Sequence, residues 1–144
     1  MHTIVNTLSL QYPEAQEIFQ KNGESAIQEL KNLNDEIKTI LERAQHRSFL
    51  VSHPAFAYFC KEYDLAQLSI ELGGKDPTSK HVAKIMQEVA DSQTKIALAM
   101  PQHSNKGLEL VAQKLHLNVC MIDPYAKDYF ETMRHLAHLV ADNE

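Results

Sequence analysis

Four short apolar segments alternate with amphipathic stretches through the second two-thirds of this chain. The apolar segments are 48–53, 65–71, 95–100 and 118–122, and about a dozen residues with apolar positions at helical spacing follow each of them. Segments that are apolar on both sides are typical of parallel strands, which are covered by the helices that connect them. The pattern predicts an α/β fold with a four-stranded parallel sheet and helices on both faces.

A long helix is predicted to precede the sheet. Residues 4–12 form a short amphipathic segment, and Pro13 then begins a helix in which Gly23 is the one weak point. About thirty residues at ~1.5 Å each give a rod of roughly 45–50 Å, which is longer than one small domain needs. We therefore predict a short helix plus a long linker helix in residues 1–46 and an α/β lobe in residues 47–144.

Two of the predicted strands end in the same way, as Ser52-His53-Pro54 and as Ile122-Asp123-Pro124. Because parallel strands present their carboxyl ends at one edge of the sheet, we expect His53 and Asp123 to converge there. An imidazole and a carboxylate are half of a four-ligand site for zinc or manganese. Two alternatives remain open: His53 bonds nearby backbone, and Asp123 only caps a helix. Pro54 is expected to begin the next helix.

Other candidate ligands follow strands or lie on the last helix. Glu71 ends the second strand, where it either joins the outer shell of a site or caps its loop. His103 follows the third strand and could approach the same edge. His135 and His138 are three residues apart, so they could hold a metal from one helix face, although such pairs are more often solvated.

Several classes of function find no support in the sequence. The net charge of −5 and the lack of a basic cluster argue against a nucleic-acid partner. No apolar run approaches the roughly 18 residues that span a bilayer, and the N-terminus has no signal-peptide pattern. No phosphate-binding loop or nucleophile motif appears, so we do not expect an enzyme. Cys60 and Cys120 are interpreted as small buried hydrophobes.

One set of residues in this chain follows the order and spacing of a known family: His53-Pro54-Ala55-Phe56-Ala57-Tyr58-Phe59, Pro101-Gln102, Asp123-Pro124-Tyr125, Tyr129, Met133 and Arg134. With these residues the chain resembles the C-terminal lobe of the zinc- and manganese-binding solute-binding proteins of bacterial ABC importers. The long helix is similar to the rigid helix that joins the two lobes of those receptors.

The resemblance implies a cleft site with four ligands, two from each lobe, in which His53 matches the third ligand and Asp123 the fourth. It also implies an extracytoplasmic receptor, periplasmic or lipid-anchored, that delivers Zn²⁺ or Mn²⁺ (iron is possible) to a membrane permease. The N-terminal lobe and its two histidines are missing, and Met100 stands where the family often has an acidic residue. We therefore expect a truncated or separately encoded half that binds metal weakly by itself. An α/β interaction or adhesion module with no metal role is the alternative.

Overall fold

The computed structural model describes residues 1–71 and 78–142, without the side chain of residue 79, and its elements follow the predicted order. The sequence also predicts a turn at Gly73-Gly74 and the start of a helix at Asp76-Pro77, and both of these pairs lie outside the described residues. The elements are α1 His2–Gln11, a 3₁₀ helix Pro13–Ala15, α2 Gln16–Leu41, β1 Ser48–Val51, α3 Ala57–Glu62, β2 Ala66–Ser69, α4 Ser79–Asp91, β3 Ile96–Ala99, α5 Lys106–Leu115, β4 Asn118–Met121 and α6 Tyr129–Ala141.

The four strands form one parallel sheet in the order β2-β1-β3-β4, which confirms the predicted fold class. The connection after β1 leads outward to β2, whereas the connection after β3 leads outward to β4 on the other side. The strand order therefore reverses between β1 and β3. In open α/β sheets, ligands bind beyond the carboxyl ends of the strands at such a point.

Apolar side chains cover both faces of the sheet. On one face, Leu50 and Ala97 belong to a buried cluster with Val89 of α4 and Val111 of α5. Successive residues of a strand point to opposite faces, so Phe49, the neighbour of Leu50, lies on the other face. The phenyl ring of Phe49 is fully buried, and its centroid lies 6.3 Å from that of Phe56. Each such buried side chain contributes about 1.5–3 kcal/mol to folding.

The chain separates into two compact units, Met1–Ile37 and Lys38–Glu144. In the first unit, α1 packs closely on α2 at Gly23, where an added Cβ would overlap the side chain of Val5. Gly23 therefore permits a close approach of two helices and is more than a weak point in one of them. The division of the chain into functional parts at residues 46 and 47 remains a prediction.

The helix that was expected to begin at Pro54 begins three residues later, at Ala57. The reason is a turn directly after the strand, in which the Ala55 N–H donates to the carbonyl oxygen of His53 at 2.9 Å. The next amide, that of Phe56, donates to Oε1 of Gln67 at 3.0 Å. Both bonds hold Pro54 outside the helix.

In the two described ranges, no helix combines the length and apolar character needed to cross a membrane.

Candidate metal centre

His53 lies just beyond β1, beside the end of β2. The backbone pairing of these strands continues past their ends, because the amide of Ile70 donates to the carbonyl of Val51 and that of Glu71 to the carbonyl of Ser52. The two bonds are 3.0 and 3.2 Å long, and they bring Glu71 level with His53. Nδ1 of His53 then lies 2.7 Å from Oε2 of Glu71, with both side chains partly buried.

His103 reaches the same place from the end of β3. Its amide donates to the carbonyl of Met100 at 3.3 Å and closes a turn. The side-chain amide of Asn105 bonds both backbone groups of Met100, at 3.1 and 3.0 Å, and holds the loop. The imidazole of His103 stacks on that of His53 with centroids 4.1 Å apart and planes 7° apart. Its Nδ1 lies 3.9 Å from Oε2 of Glu71.

His53, Glu71 and His103 can each offer one ligand atom such that all three atoms lie within 4.8 Å of one another. Among residues 1–71 and 78–142, this is the one group of three histidine, cysteine or acidic side chains with such spacing. Two imidazole nitrogens and one carboxylate oxygen are donors that zinc accepts, and three protein ligands leave a fourth position open. When Nδ1 of His53 carries a proton, it donates a hydrogen bond to Oε2 of Glu71.

Asp123 follows β4 at the same edge of the sheet, but the group of three does not include it. Its Oδ1 accepts a hydrogen bond from Nε2 of Gln102 at 2.7 Å and another from the amide of Tyr125 at 2.9 Å. The second bond has the form of an Asx turn, which is a structural role. β3 separates β4 from β1, so the loop that carries Gln102 and His103 lies between Asp123 and His53. The assignment of Asp123 as a ligand stays a prediction.

His138 takes part in an ion-pair cluster on α6. Its Nδ1 lies 3.1 Å from Nη2 of Arg43 and 3.1 Å from Oδ2 of Asp142, and Arg43 pairs with Asp142 at 3.0 Å. An open groove of about 520 Å³ beside this cluster is lined by β4 and α6, and His135 contributes to it. In the part of the chain that the structure describes, neither histidine belongs to a group of three closely spaced ligands.

The two cysteines are free thiols in different settings. Cys60 of α3 is buried, and burial raises the pKa of its thiol to about 11. Cys120 of β4 is partly exposed. A protonated, buried thiol is a poor metal ligand, so Cys60 is not a candidate ligand.

The model of the family described as zinc-uptake complex component A, periplasmic, matches residues 1–142. The chain belongs to this family. The family description names a component of zinc uptake and no enzymatic activity, and the match covers both the long helix and the sheet.

Several proteins are similar to nearly the whole length of this chain. A Chlamydia muridarum protein, provisionally named a metal-binding protein, is 26% identical over 143 residues, which are 99% of this chain and 52% of that protein. The zinc-binding protein AdcA of Streptococcus pyogenes is 27% identical over 146 residues, 93% of this chain and 28% of AdcA. The crystal structure of ZnuA superimposes with a TM-score of 0.93 and 27% identity, over 99% of this chain and 56% of ZnuA. The chain thus spans about half the length, or less, of the relatives it matches.

Proposed function

We propose that this chain is the C-terminal, metal-binding half of an extracytoplasmic zinc receptor that delivers its metal to an ABC importer. The observation that carries the proposal is the match of residues 1–142 to the periplasmic zinc-uptake family. Residues 1–46 act as the linker helix and residues 47–144 as the metal lobe. An N-terminal lobe provides the opposite wall of the cleft, and a membrane permease receives the metal. The chain acts by binding and release, without catalysis.

His53 and Asp123 are the ligands that this half presents to the cleft in the proposed receptor. His53 stands at the point where the strand order reverses, and Asp123 stands at the same edge of the sheet. Zn²⁺ accepts imidazole nitrogen together with carboxylate oxygen, and Mn²⁺ and iron are bound by similar sets. We propose zinc as the metal, since the family description and the name of AdcA both refer to zinc.

The isolated half is expected to bind zinc only weakly. A zinc site with all ligands from protein has four, and each missing ligand costs a few kcal/mol, with every ~1.4 kcal/mol equal to a tenfold change in dissociation constant. Loss of two ligands therefore places the dissociation constant in the micromolar range or above. Binding should also weaken as the pH falls, because protons compete with the metal for imidazole.

Metal titration of the purified chain tests the proposal. The chain is stripped with a chelator and titrated with Zn²⁺, Mn²⁺ or Fe²⁺ against a competing indicator, beside the variants His53→Ala and Asp123→Ala. The matched control is His2→Ala, because His2 is an exposed histidine of α1. We expect zinc to bind most tightly, both site variants to lose at least tenfold in affinity, and the control to match the unaltered chain. Weak zinc binding that neither site variant changes would instead favour an interaction or adhesion module.

A further inference from the structure

We propose that Glu71 and His103 are metal ligands in their own right. This half of the receptor then holds Zn²⁺ through three side chains, those of His53, Glu71 and His103. The inference rests on the proposed function for the identity of the metal. Neither Glu71 nor His103 is among the ligands that the family resemblance implies, and both come from this chain. The proposed site is the group whose ligand atoms lie within 4.8 Å of one another.

The spacing of the donor atoms fits a tetrahedral zinc ion. Zinc binds imidazole nitrogen and carboxylate oxygen at about 2.0–2.2 Å, which places two ligand atoms of a tetrahedron roughly 3.3 Å apart. Oε2 of Glu71 lies 2.7 Å from Nδ1 of His53 and 3.9 Å from Nδ1 of His103. One separation is shorter than the tetrahedral value and the other is longer by a similar amount. Side-chain shifts of less than 1 Å would therefore equalise them around an ion.

The backbone holds the three donors independently of any metal. They follow three adjacent strands, and each donor has its own anchor. The carbonyl of His53 closes the turn with Ala55, the amide of Glu71 bonds the carbonyl of Ser52, and Asn105 fixes the loop that carries His103. Side chains on a fixed scaffold lose little entropy when a ligand binds, which favours a site that is formed in advance.

The charges of the three donors also suit a divalent cation. Zinc binds imidazole in its neutral form, so the group would bring one negative charge, from Glu71, to an ion with two positive charges. The side chains of His53, Glu71 and His103 are 34%, 21% and 25% exposed, so the carboxylate is only partly screened by water. The two imidazoles stack with centroids 4.1 Å and planes 7° apart, so the rings must tilt towards each other for both in-plane lone pairs to meet one ion.

A different role for Glu71 would be to orient His53, which would then bind the metal through Nε2 while His103 only stacks on it. Carboxylates commonly support metal-binding histidines in this way. The two arrangements differ in the number of imidazoles bound to the metal. The proposed site has two from this chain, whereas the orienting arrangement has one.

X-ray absorption of the zinc-loaded chain, combined with zinc titration, distinguishes the two arrangements. His103→Phe keeps an aromatic ring against His53 but removes the nitrogens, and Glu71→Gln keeps the shape but removes the charge. Exposed His2 and Glu109 give the matched controls His2→Phe and Glu109→Gln. We expect one zinc per chain, with two imidazoles in the unaltered chain and one in His103→Phe. We also expect at least a tenfold loss of affinity in each site variant and less than a twofold change in the controls.

Three results would overturn the proposal. If the unaltered chain binds zinc through one imidazole and His103→Phe changes nothing, Glu71 only orients His53, and the proposed receptor function stands without the added ligands. The same holds if His53→Ala and Asp123→Ala lower the affinity while His103→Phe and Glu71→Gln do not. If the folded chain binds no zinc, both the added ligands and the receptor function fail. Circular dichroism of each variant shows whether it is folded, and the absorption spectrum of the unaltered chain decides the case even if a variant is not.

Discussion

Replacement of Asn105 by alanine should destabilise the end of β3 and the loop that carries His103. The carboxamide of Asn105 accepts a hydrogen bond from the amide of Met100 at 3.1 Å and donates one to its carbonyl at 3.0 Å. Met100 is completely buried, so water cannot replace the lost partner without a rearrangement. The carbonyl keeps the amide of His103 as a donor, at 3.3 Å, whereas the Met100 amide loses the acceptor that Asn105 supplies.

The expected cost follows from these two bonds. A neutral hydrogen bond contributes about 1 kcal/mol net, and a buried amide left without an acceptor costs about 1–3 kcal/mol. We expect Asn105→Ala to lower the free energy of unfolding by about 2–3 kcal/mol. A domain of this size changes its Tm by about 2–4 °C per kcal/mol, so the Tm should fall by roughly 5–10 °C.

Urea and thermal unfolding of the purified chain measure this change. Asn105→Asp keeps an oxygen for the Met100 amide but places a charged carboxylate oxygen against the Met100 carbonyl, so it should also destabilise the chain. Asn32→Ala is the control, because Asn32 accepts a hydrogen bond from Gln28 on an exposed face of α2 and should lose less than about 0.5 kcal/mol. The reasoning is refuted if Asn105→Ala stays within 0.5 kcal/mol of the unaltered chain.

Three further predictions concern helix packing, thiol reactivity and the dependence of the fold on metal. Gly23→Ala should destabilise the pairing of α1 and α2 by about 1–3 kcal/mol, because the added methyl overlaps Val5. Thermal unfolding should show that a second substitution, Val5→Ala, restores the stability lost in Gly23→Ala. If the two substitutions destabilise the chain additively, the contact between Gly23 and Val5 is contradicted. Cys60, with its pKa raised to about 11, has roughly 0.1% thiolate at pH 8. Its alkylation, followed by mass spectrometry, should be at least tenfold slower than that of Cys120 and should speed up as the pH rises towards 11; equal rates at pH 8 would contradict the burial. The chain should keep its far-UV circular dichroism in excess chelator, because the buried cluster around Leu50 involves no metal ligand, and loss of most of the helical signal would contradict this.

The fold class was predictable from the sequence because two of its strands, β1 and β3, carry no hydrophobic alternation. The segments around Leu50 and Leu98 are apolar on consecutive residues, and the structure buries all four residues of β1 and all four of β3. A sheet covered on both faces by helices buries consecutive residues in this way. The edge strand β4 is largely exposed. It was still predictable, because strands and helices alternate regularly along the chain and β4 continues that alternation.

Contacts between residues that are far apart in the sequence explain the structural details that the sequence did not reveal. Pro54 favours a helix start by its fixed φ angle, but a backbone turn and the side chain of Gln67 hold the chain out of the helix until Ala57. Gly23 has a low helix propensity, and its value comes from the close approach of Val5 in another helix. Propensity describes a residue by itself, so neither contact can be read from the residue type.

Strand order explains why the candidate site contains Glu71 and His103 beside His53, whereas the sequence predicted that Asp123 would lie there. His53 and Asp123 follow the first and the last strands in similar dipeptides, and periodicity shows that both reach one edge without showing which strands are neighbours. In the observed order β2-β1-β3-β4, the strand ends beside His53 are those that lead to Glu71 and His103, whereas Asp123 is two strands away. Neighbouring strands are about 4.8 Å apart, so the side chains that follow adjacent strands can share an ion most directly. Asp123 can join the same ion only across the loop that carries Gln102, which already bonds its Oδ1. The order of the strands, more than the similarity of the dipeptides, therefore determines which donors meet at the reversal point.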